Sequence, residues 1–288
     1  MIILWLYMFN YNADALKAVF RSIIQANAEP GVLNWLEEER AFNSSFVLVP
    51  RKAGKAVINV SAEQVKQIEA ILPGFSVEGL GIDLLGRAYL LINLDATDQE
   101  RYFRIIENLF LAAEMSELVA LYASLPLLAY PEMWVKRCAE GIRSNIGNVL
   151  EAIMYHNPYP AQNLDQNAWN QLVLKAFFTD KEVGKIIGID DRANKDLAYI
   201  ISDYMHERWA AKREVNPNLW RLVGKFIDAK LFEDIKRVFE DGNLVDRKAA
   251  ALAIEQSNYA PAKALLNKYP ELVTALENKS LTWDTLSG

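Results

Sequence analysis

The sequence has little of the residues that build disulfides and metal sites. Among its 288 residues it has one cysteine, Cys138, and two histidines, His156 and His206. A lone cysteine forms no internal disulfide, which favours a reducing compartment and predicts a cytoplasmic protein. Cys138 falls on the apolar stripe of a predicted helix, where we expect inert packing. No CxxC or HExxH spacing occurs, so we predict neither a metal nor a cofactor.

Other absences exclude whole classes of function. The chain has no GxGxxG or GxxxxGK[ST] phosphate loop and no GxSxG nucleophile elbow. Lys plus Arg total 31 and Asp plus Glu total 37, and no long basic run occurs, so nucleic acid is not an expected partner. The apolar run at the N-terminus, "MIILWLYMF", is too short to span a membrane. We expect residues 1–9 to dock on the body; the alternative is a peripheral membrane or partner contact.

What the sequence does contain is helical periodicity. Hydrophobic residues make up 52% of the chain, enough for a substantial core. Amphipathic segments such as 13–27 and 31–42 follow one another with short connections, and Ser61 with Gln64 predicts a capping box at a helix start. The predicted fold is therefore all-α, an α/α superhelical or HEAT-like helical bundle.

One segment departs from this pattern. Residues 46–60, "FVLVPRKAGKAVINV", hold two β-branched runs around a Lys-Gly turn, which predicts a small N-terminal β-hairpin. We place a domain boundary near residues 75–80, which gives an N-terminal helical lobe over residues 1–78 and a helical body over residues 79–288.

The segment 197–211 carries the most unusual polar pattern. On a helical wheel Arg208 falls within the apolar stripe, while Asp203, His206 and Glu207 share the polar face. A guanidinium among apolar neighbours needs a carboxylate, backbone carbonyls or an anionic ligand. Arg208 therefore predicts either a buried ion pair or an anion-binding group. The Asp/His/Glu trio is a solvated face or, as an alternative, a metal or acid–base site.

Similar polar residues interrupt apolar stretches upstream. Helix 166–179 is apolar nearly all round, yet contains Asn170 and Lys175, and a lysine there either snorkels to water or enters a polar pocket. Asn145 falls on an apolar side of its helix and Arg143 flanks that side. His156 is predicted to cap the end of a helix, with an acid–base role as the alternative.

Several blocks keep a recognisable order and spacing over about residues 80–284. They are "AEMSELVALYASLPLL" (113–128), "AEGIRSNIGNVLEAI" (139–153), "NPYP" (157–160), "WNQLVLKAFF" (169–178), "DDRANKDLA" (190–198), "DYMHERWAAKREVNPNLWRLVG" (203–224) and "LTWD" (281–284). Together they resemble the EboA family, so the predicted helical body over residues 79–288 is EboA-like.

The resemblance implies a context rather than a mechanism. That family is associated with a bacterial gene cluster, the ebo cluster, implicated in moving secondary-metabolite precursors out of the cytoplasm. No catalytic residues carry over. The residues shared with the family pattern are Arg143, Asn145, Asn157, Pro158, Tyr159, Pro160, Trp169, Asn170, Lys175, Arg192, Asn194, Asp203, His206, Glu207, Arg208, Trp209, Trp220 and Arg221.

Three functional hypotheses follow. The first is a non-catalytic binding or scaffold protein whose partner is a small metabolite or another ebo-cluster protein. Its candidate ligand-binding residues are Arg143, Asn145, Tyr159, Trp169, Asn170, Lys175, Arg208, Trp209 and Trp220. The second is an enzyme that uses His156 or His206 with Asp203 or Glu207 as acid and base. The third is a purely structural partner-binding protein with an exposed apolar patch and no pocket.

Overall fold

The computed structural model describes residues 8–38 and 41–286. In this part of the chain there are eighteen α-helices and no strand, so the all-α prediction is confirmed. The helices are α1 (Ala13–Asn27), α2 (Val32–Glu37), α3 (Phe42–Ala53), α4 (Ala62–Ile71), α5 (Ile82–Asn93), α6 (Gln99–Ala112), α7 (Met115–Ala123), α8 (Val135–Arg143), α9 (Gly147–Met154), α10 (Tyr159–Asn163), α11 (Gln166–Phe178), α12 (Lys195–Ala210), α13 (Trp220–Val223), α14 (Ala229–Asp241), α15 (Leu244–Gln256), α16 (Ala260–Leu266), α17 (Pro270–Glu277) and α18 (Trp283–Leu286).

Short 3-10 turns occupy several connections, at Leu125–Leu127, Pro131–Trp134, Val183–Lys185, Pro217–Leu219 and Gly224–Phe226. The predicted capping box at the start of α4 is confirmed. Ser61 Oγ accepts from the Gln64 amide, and the Gln64 side chain accepts from the Ser61 amide. α4 ends at Ile71, and Gly74 then takes a left-handed φ of 82° that suits a residue without a side chain.

The predicted β-hairpin over residues 46–60 is wrong. Residues 46–53 belong to α3, which buries Phe46 and Val49 on one face at helical spacing. Val49 packs into the helical core, and its burial overrides its strand preference, whereas Val47 is exposed. Only an isolated antiparallel bridge, between Val57 and Gly81, has β character in this segment.

The chain divides into two compact units. The first is Met1–Leu172 with Lys185–Ile187, and the second is Val173–Gly184 with Gly188–Gly288. In the first unit α5 packs against α1 and α3, and α9 packs against α7. Its core joins residues from both sides of position 78, such as Ile23 and Leu85, both fully buried. The predicted domain boundary between residues 78 and 79 stays a prediction.

In the second unit α15 is the central helix. It contacts α13, α14, α16, α17 and α18, and its run Ala249–Ala253 is buried throughout. Alanine leaves room for helices to approach from several sides. Gly224 has the same function, because a Cβ added there would lie 2.6 Å from the Ala253 carbonyl oxygen. A HEAT-type repeat stays a prediction.

The predicted contact surface at residues 1–9 lies mostly outside the described residues, which begin at Met8. Met8 and Phe9 are buried, and the Met8 carbonyl accepts a 2.7 Å hydrogen bond from the Tyr130 amide. Throughout the described ranges, every helix falls short of the length and apolarity that crossing a bilayer requires.

Candidate functional site

The nine predicted ligand-binding residues are distributed over both units. Arg143, Asn145, Tyr159, Trp169 and Asn170 belong to the first unit; Lys175, Arg208, Trp209 and Trp220 belong to the second. That the nine form one groove stays a prediction. Within each unit, however, the position of every one of them is defined.

The five residues of the first unit have different environments. Arg143 and Asn145 are exposed at the end of α8, and Asn145 has a left-handed φ of 58°. Tyr159 is buried and donates from its hydroxyl to the Pro131 carbonyl at 2.5 Å. Trp169 and Asn170 are buried in α11. None of the five lines the cavity between α5, α7 and α9 of this unit, which is described below.

Arg208 in the second unit is half-buried rather than enclosed. Its Nε donates to the Glu214 carbonyl at 2.6 Å, and its guanidinium lies 5.8 Å from the centre of the Tyr204 ring. Backbone carbonyls were one of the three expected partners, and this one lies just beyond the end of α12. The bond ties the segment after α12 to the last turn of the helix, where a cation is favoured by the helix dipole.

His206 has a partner that local sequence did not suggest. Its Nε2 lies 2.5 Å from Oδ1 of Asp234 on α14, and Ser202 Oγ donates to Oδ2 of the same carboxylate at 2.7 Å. Asp203 and Glu207 are both exposed. Among the described residues, no group of three or more His, Cys, Asp or Glu side chains is placed to hold a metal ion.

Several motif residues hold the fold together. Asn157 is 3% exposed; its amide donates to the Tyr122 and Ala152 carbonyls and its oxygen accepts from the Tyr159 amide. Asn194 caps α12 by accepting from Leu197. Asn157 and Asn194, both shared with the family pattern, therefore have structural roles.

Arg221 has a comparable structural role in the second unit. Its guanidinium makes a bidentate ion pair with Asp190, in which both N–O distances are 2.5 Å. Lys225 adds a 2.8 Å hydrogen bond from its Nζ to the carbonyl of the same residue. The fork geometry of arginine suits this pairing, which fixes α13 to the segment before α12.

The first unit contains a cavity of about 440 Å³. Small side chains on three helices create it: Ala88 on α5, Ala120 and Ala123 on α7, and Ala152 on α9. Longer side chains at these positions would fill the space. A volume of this order is typical of small-molecule sites.

The cavity has buried apolar walls and a polar opening. Phe75, Val77 and Ala120 are buried, whereas Glu78 and His156 are exposed. The complete lining is Phe75, Ser76, Val77, Glu78, Gly79, Leu80, Leu84, Ala88, Val119, Ala120, Ala123, Ser124, Asn148, Glu151, Ala152, Tyr155, His156, Asn157 and Lys185. A ligand with an apolar body and a polar end fits this division.

His156 organises the polar side of the cavity. It follows Tyr155, which is the C-cap residue of α9, and it has a left-handed conformation with φ 49°. That its side chain caps the helix stays a prediction. Its amide donates to the Lys185 carbonyl at 2.9 Å, and its own carbonyl accepts from Ser76 at 3.4 Å. The Lys185 ammonium lies 5.2 Å from the centre of the Tyr155 ring. Three separate segments thus meet at His156.

Sequence reasoning identified His156 but missed the rest of this cavity. Its lining comes from short, separate stretches of the chain, and no single stretch has a polar pattern that marks a site. The only local signals are the small residues Ala120 and Ala123 one turn apart on α7, and Asn148 with Ala152 on α9. Similar spacings occur wherever helices pack closely, so the signal has little specificity.

The environment of Cys138 does not favour a nucleophilic role for its thiol. That thiol is fully buried, and burial raises its pKa to about 12. The thiolate needed for attack is therefore scarce near neutral pH. This agrees with the inert packing expected for Cys138.

Comparisons with known proteins give one match. The family model described as "Metabolite traffic protein EboA" matches residues 18–224. The match begins well before residue 80, the start of the recognisable blocks, and it ends before the "LTWD" block at 281–284. No curated protein and no solved structure matches. Because the matched range covers more than half of the chain, the protein belongs to the EboA family.

Proposed function

We propose that this protein is a non-catalytic helical binding protein that holds a small metabolite in the cavity of the first unit. The observation that carries this proposal is the cavity itself, about 440 Å³ with buried apolar walls and a polar opening. The description of the family, metabolite traffic, agrees with a protein that binds a metabolite and releases it unchanged.

The lining indicates the chemistry of the ligand. Phe75, Val77 and the alanines favour an apolar body, since its transfer from water is favourable by about 25 cal/mol per Å² buried. Glu78, Asn148 and His156 offer both donors and acceptors at the polar side. The ligand we infer is an amphipathic molecule with polar substituents at one end.

A cavity-filling experiment tests this proposal. Ala123 and Ala152 line the cavity and are half-buried, so Ala123→Leu and Ala152→Leu place new atoms in the empty space. Ala70→Leu, at an exposed position in the last turn of α4, is the matched control. The probe is anilinonaphthalene sulfonate, an apolar molecule with one polar group, followed by its fluorescence.

The expected result is one binding event in the unaltered protein and in Ala70→Leu, weakened about tenfold in the two cavity variants, since the loss of about 1.4 kcal/mol of binding free energy has this effect. Equal probe binding by all four proteins, or no binding to any, would refute a ligand cavity at this place. Thermal unfolding of each variant checks that the fold is retained.

An acid–base enzyme is the second candidate function. It is favoured by the 2.5 Å separation between His206 Nε2 and the buried Asp234 carboxylate, a distance expected of a catalytic pair. Against it, His206 lines neither the cavity of the first unit nor the cleft of the second unit that contains Trp209 and Trp220. Turnover that is lost in His206→Gln and retained in Asp203→Asn would favour this candidate.

A structural role in partner binding rests on exposed apolar residues. Leu111 is 74% exposed and Met115 is 50% exposed, close together at the junction of α6 and α7. Another ebo-cluster protein is the partner we propose for this role. Unchanged oligomeric state and partner capture after Leu111→Ser would argue against it.

We place the protein in a reducing compartment, the cytoplasm. The support is Cys138, which is free and buried and therefore has no part in a disulfide. Localisation of a fluorescent fusion of the full chain is the test, and an accumulation outside the cytoplasm would contradict this assignment.

A further inference from the structure

A second cleft lies wholly within the second unit and has a volume of about 480 Å³. It forms where the end of α12, the Pro217 turn, α14 and the start of α15 meet. Trp220 and Val238 are buried at its base, and Trp209 forms one wall. Two of the nine predicted ligand-binding residues, Trp209 and Trp220, are thus in one cleft.

The cleft is lined by charges of both signs that do not neutralise one another. Its guanidinium groups are Arg213 and Arg237, and its carboxylates are Glu214, Asp241 and Asp246. Within the described ranges, none of these five side chains takes part in an ion pair shorter than 4.0 Å. Opposite charges that share a cleft without pairing remain available to a bound molecule.

Two of these groups have environments that strengthen the case. The Arg237 guanidinium lies 4.3 Å from the centre of the Trp209 ring, which holds the cation at the aromatic wall. Partial burial raises the pKa of Asp246, and the Glu214 carboxylate nearby raises it further. A cation placed between those two carboxylates would relieve their repulsion.

The distribution of charge restricts the ligand. A polyanion would meet three carboxylates, and a simple cation would meet two guanidinium groups. A molecule that bears both an ammonium and a carboxylate satisfies both sets, and the indole wall formed by Trp209 favours an aromatic ring beside them. We propose that this cleft is a second ligand site, which binds an aromatic zwitterion of amino-acid size.

In the bound state the ammonium faces Asp246 and Glu214, where two negative charges are adjacent. The carboxylate faces Arg237 and Arg213, which offer forked N–H donors. This site is independent of the first unit's cavity and takes a different class of ligand, so either assignment can fail without the other.

Isothermal titration of the full chain with three related probes tests the proposal. L-phenylalanine carries both charges, phenylethylamine only the ammonium, and phenylpropanoate only the carboxylate. We expect L-phenylalanine to bind tightest and each single-charge analogue to bind about tenfold more weakly, since a charge-assisted hydrogen bond is lost. Equal affinity for an analogue, or no binding of L-phenylalanine, would overturn the proposal.

Variants then assign the two ends of the ligand. Asp246→Asn should remove the preference for L-phenylalanine over phenylpropanoate, and Arg237→Gln should remove its preference over phenylethylamine. Glu233→Gln and Lys236→Gln are controls on the exposed surface of α14 outside the cleft. Asp246 also accepts a hydrogen bond from the Asn243 backbone at the start of α15, so Arg237→Gln is the variant with less risk to folding. Unchanged preferences in both variants would place the binding elsewhere.

Discussion

Arg87 Nε donates a 3.1 Å hydrogen bond to the backbone carbonyl of Phe46, the carbonyl for which Pro50 has no amide to offer. In a regular helix the amide of residue 50 would bond the carbonyl of residue 46, and proline removes that donor. Arg87 is 1% exposed and supplies the missing hydrogen bond from α5. A helix that contains an internal proline thus depends on a side chain 41 residues away.

Replacement of this arginine should destabilise the first unit strongly. Asp83 and Glu117 lie 4.0 and 3.7 Å from its guanidinium and are themselves buried. In Arg87→Met both carboxylates lose their counter-charge, so we expect a loss of about 3–5 kcal/mol in unfolding free energy, measured by urea denaturation. The triple variant with Asp83→Asn and Glu117→Gln should recover part of this loss.

A double-mutant cycle isolates the hydrogen bond to Phe46. Pro50→Ala restores the backbone donor, so the loss caused by Arg87→Met should be about 0.5–1.5 kcal/mol smaller in that background. Strictly additive losses would show that the two residues do not share this carbonyl.

The Asn157 amide should also be costly to remove. Its three hydrogen bonds join the ends of α7 and α9 to the start of α10. Asn157→Ala leaves two buried carbonyls and one amide without this partner. We expect a loss of unfolding free energy of up to about 1–3 kcal/mol for each group left unsatisfied. Asn163→Ala, which removes one half-buried hydrogen bond to Tyr159, is the control and should cost less. Similar urea midpoints for the two variants would contradict this role.

These examples indicate how far the sequence determines the expectations. Helix periodicity and the Ser61 cap are local, and both were predictable. The predicted hairpin over residues 46–60 was wrong because α3 accommodates Pro50. The Phe46 carbonyl that proline leaves without a donor is bonded by Arg87, and no local pattern indicates that partner. The same reason hid the candidate sites: His206 pairs with Asp234 on another helix, while the nearer Asp203 and Glu207 remain exposed. Which alanines border empty space is likewise decided by tertiary packing.

Close helix packing in the second unit gives another prediction. In Gly224→Ala the new Cβ would lie 2.6 Å from the Ala253 carbonyl oxygen and 3.0 Å from its Cα, so backbone must shift. We expect a loss of about 1–3 kcal/mol in unfolding free energy, as for other overpacked sites. Gly184→Ala is a matched control, since nothing lies within 4 Å of its added Cβ. Equal thermal midpoints for the two variants would contradict this close approach.

Asp234 is expected to be a structural anchor for α12. It is 5% exposed and accepts from Ser202 while it contacts His206. Asp234→Ala leaves the buried Ser202 hydroxyl without this acceptor, with an expected loss of about 1–3 kcal/mol. Asp203→Ala, on the exposed face of the same helix as His206, should change stability by less than about 0.5 kcal/mol. A larger loss of unfolding free energy in Asp203→Ala than in Asp234→Ala, measured by urea denaturation, would contradict this role of Asp234.

Cys138 provides a direct readout of unfolding in the first unit. Burial raises its pKa to about 12, so at pH 8 the native thiol is almost entirely protonated and shielded from reagents. We expect a negligible reaction with an aromatic disulfide reagent under native conditions. In concentrated urea the thiol regains an ordinary pKa near 8.5, and one equivalent should react within minutes.

In Arg87→Met the native-state reaction should accelerate at pH 8, because a less stable first unit exposes the thiol more often. Fast reaction of the unaltered native protein would show that Cys138 is accessible and would remove the argument for its inert role.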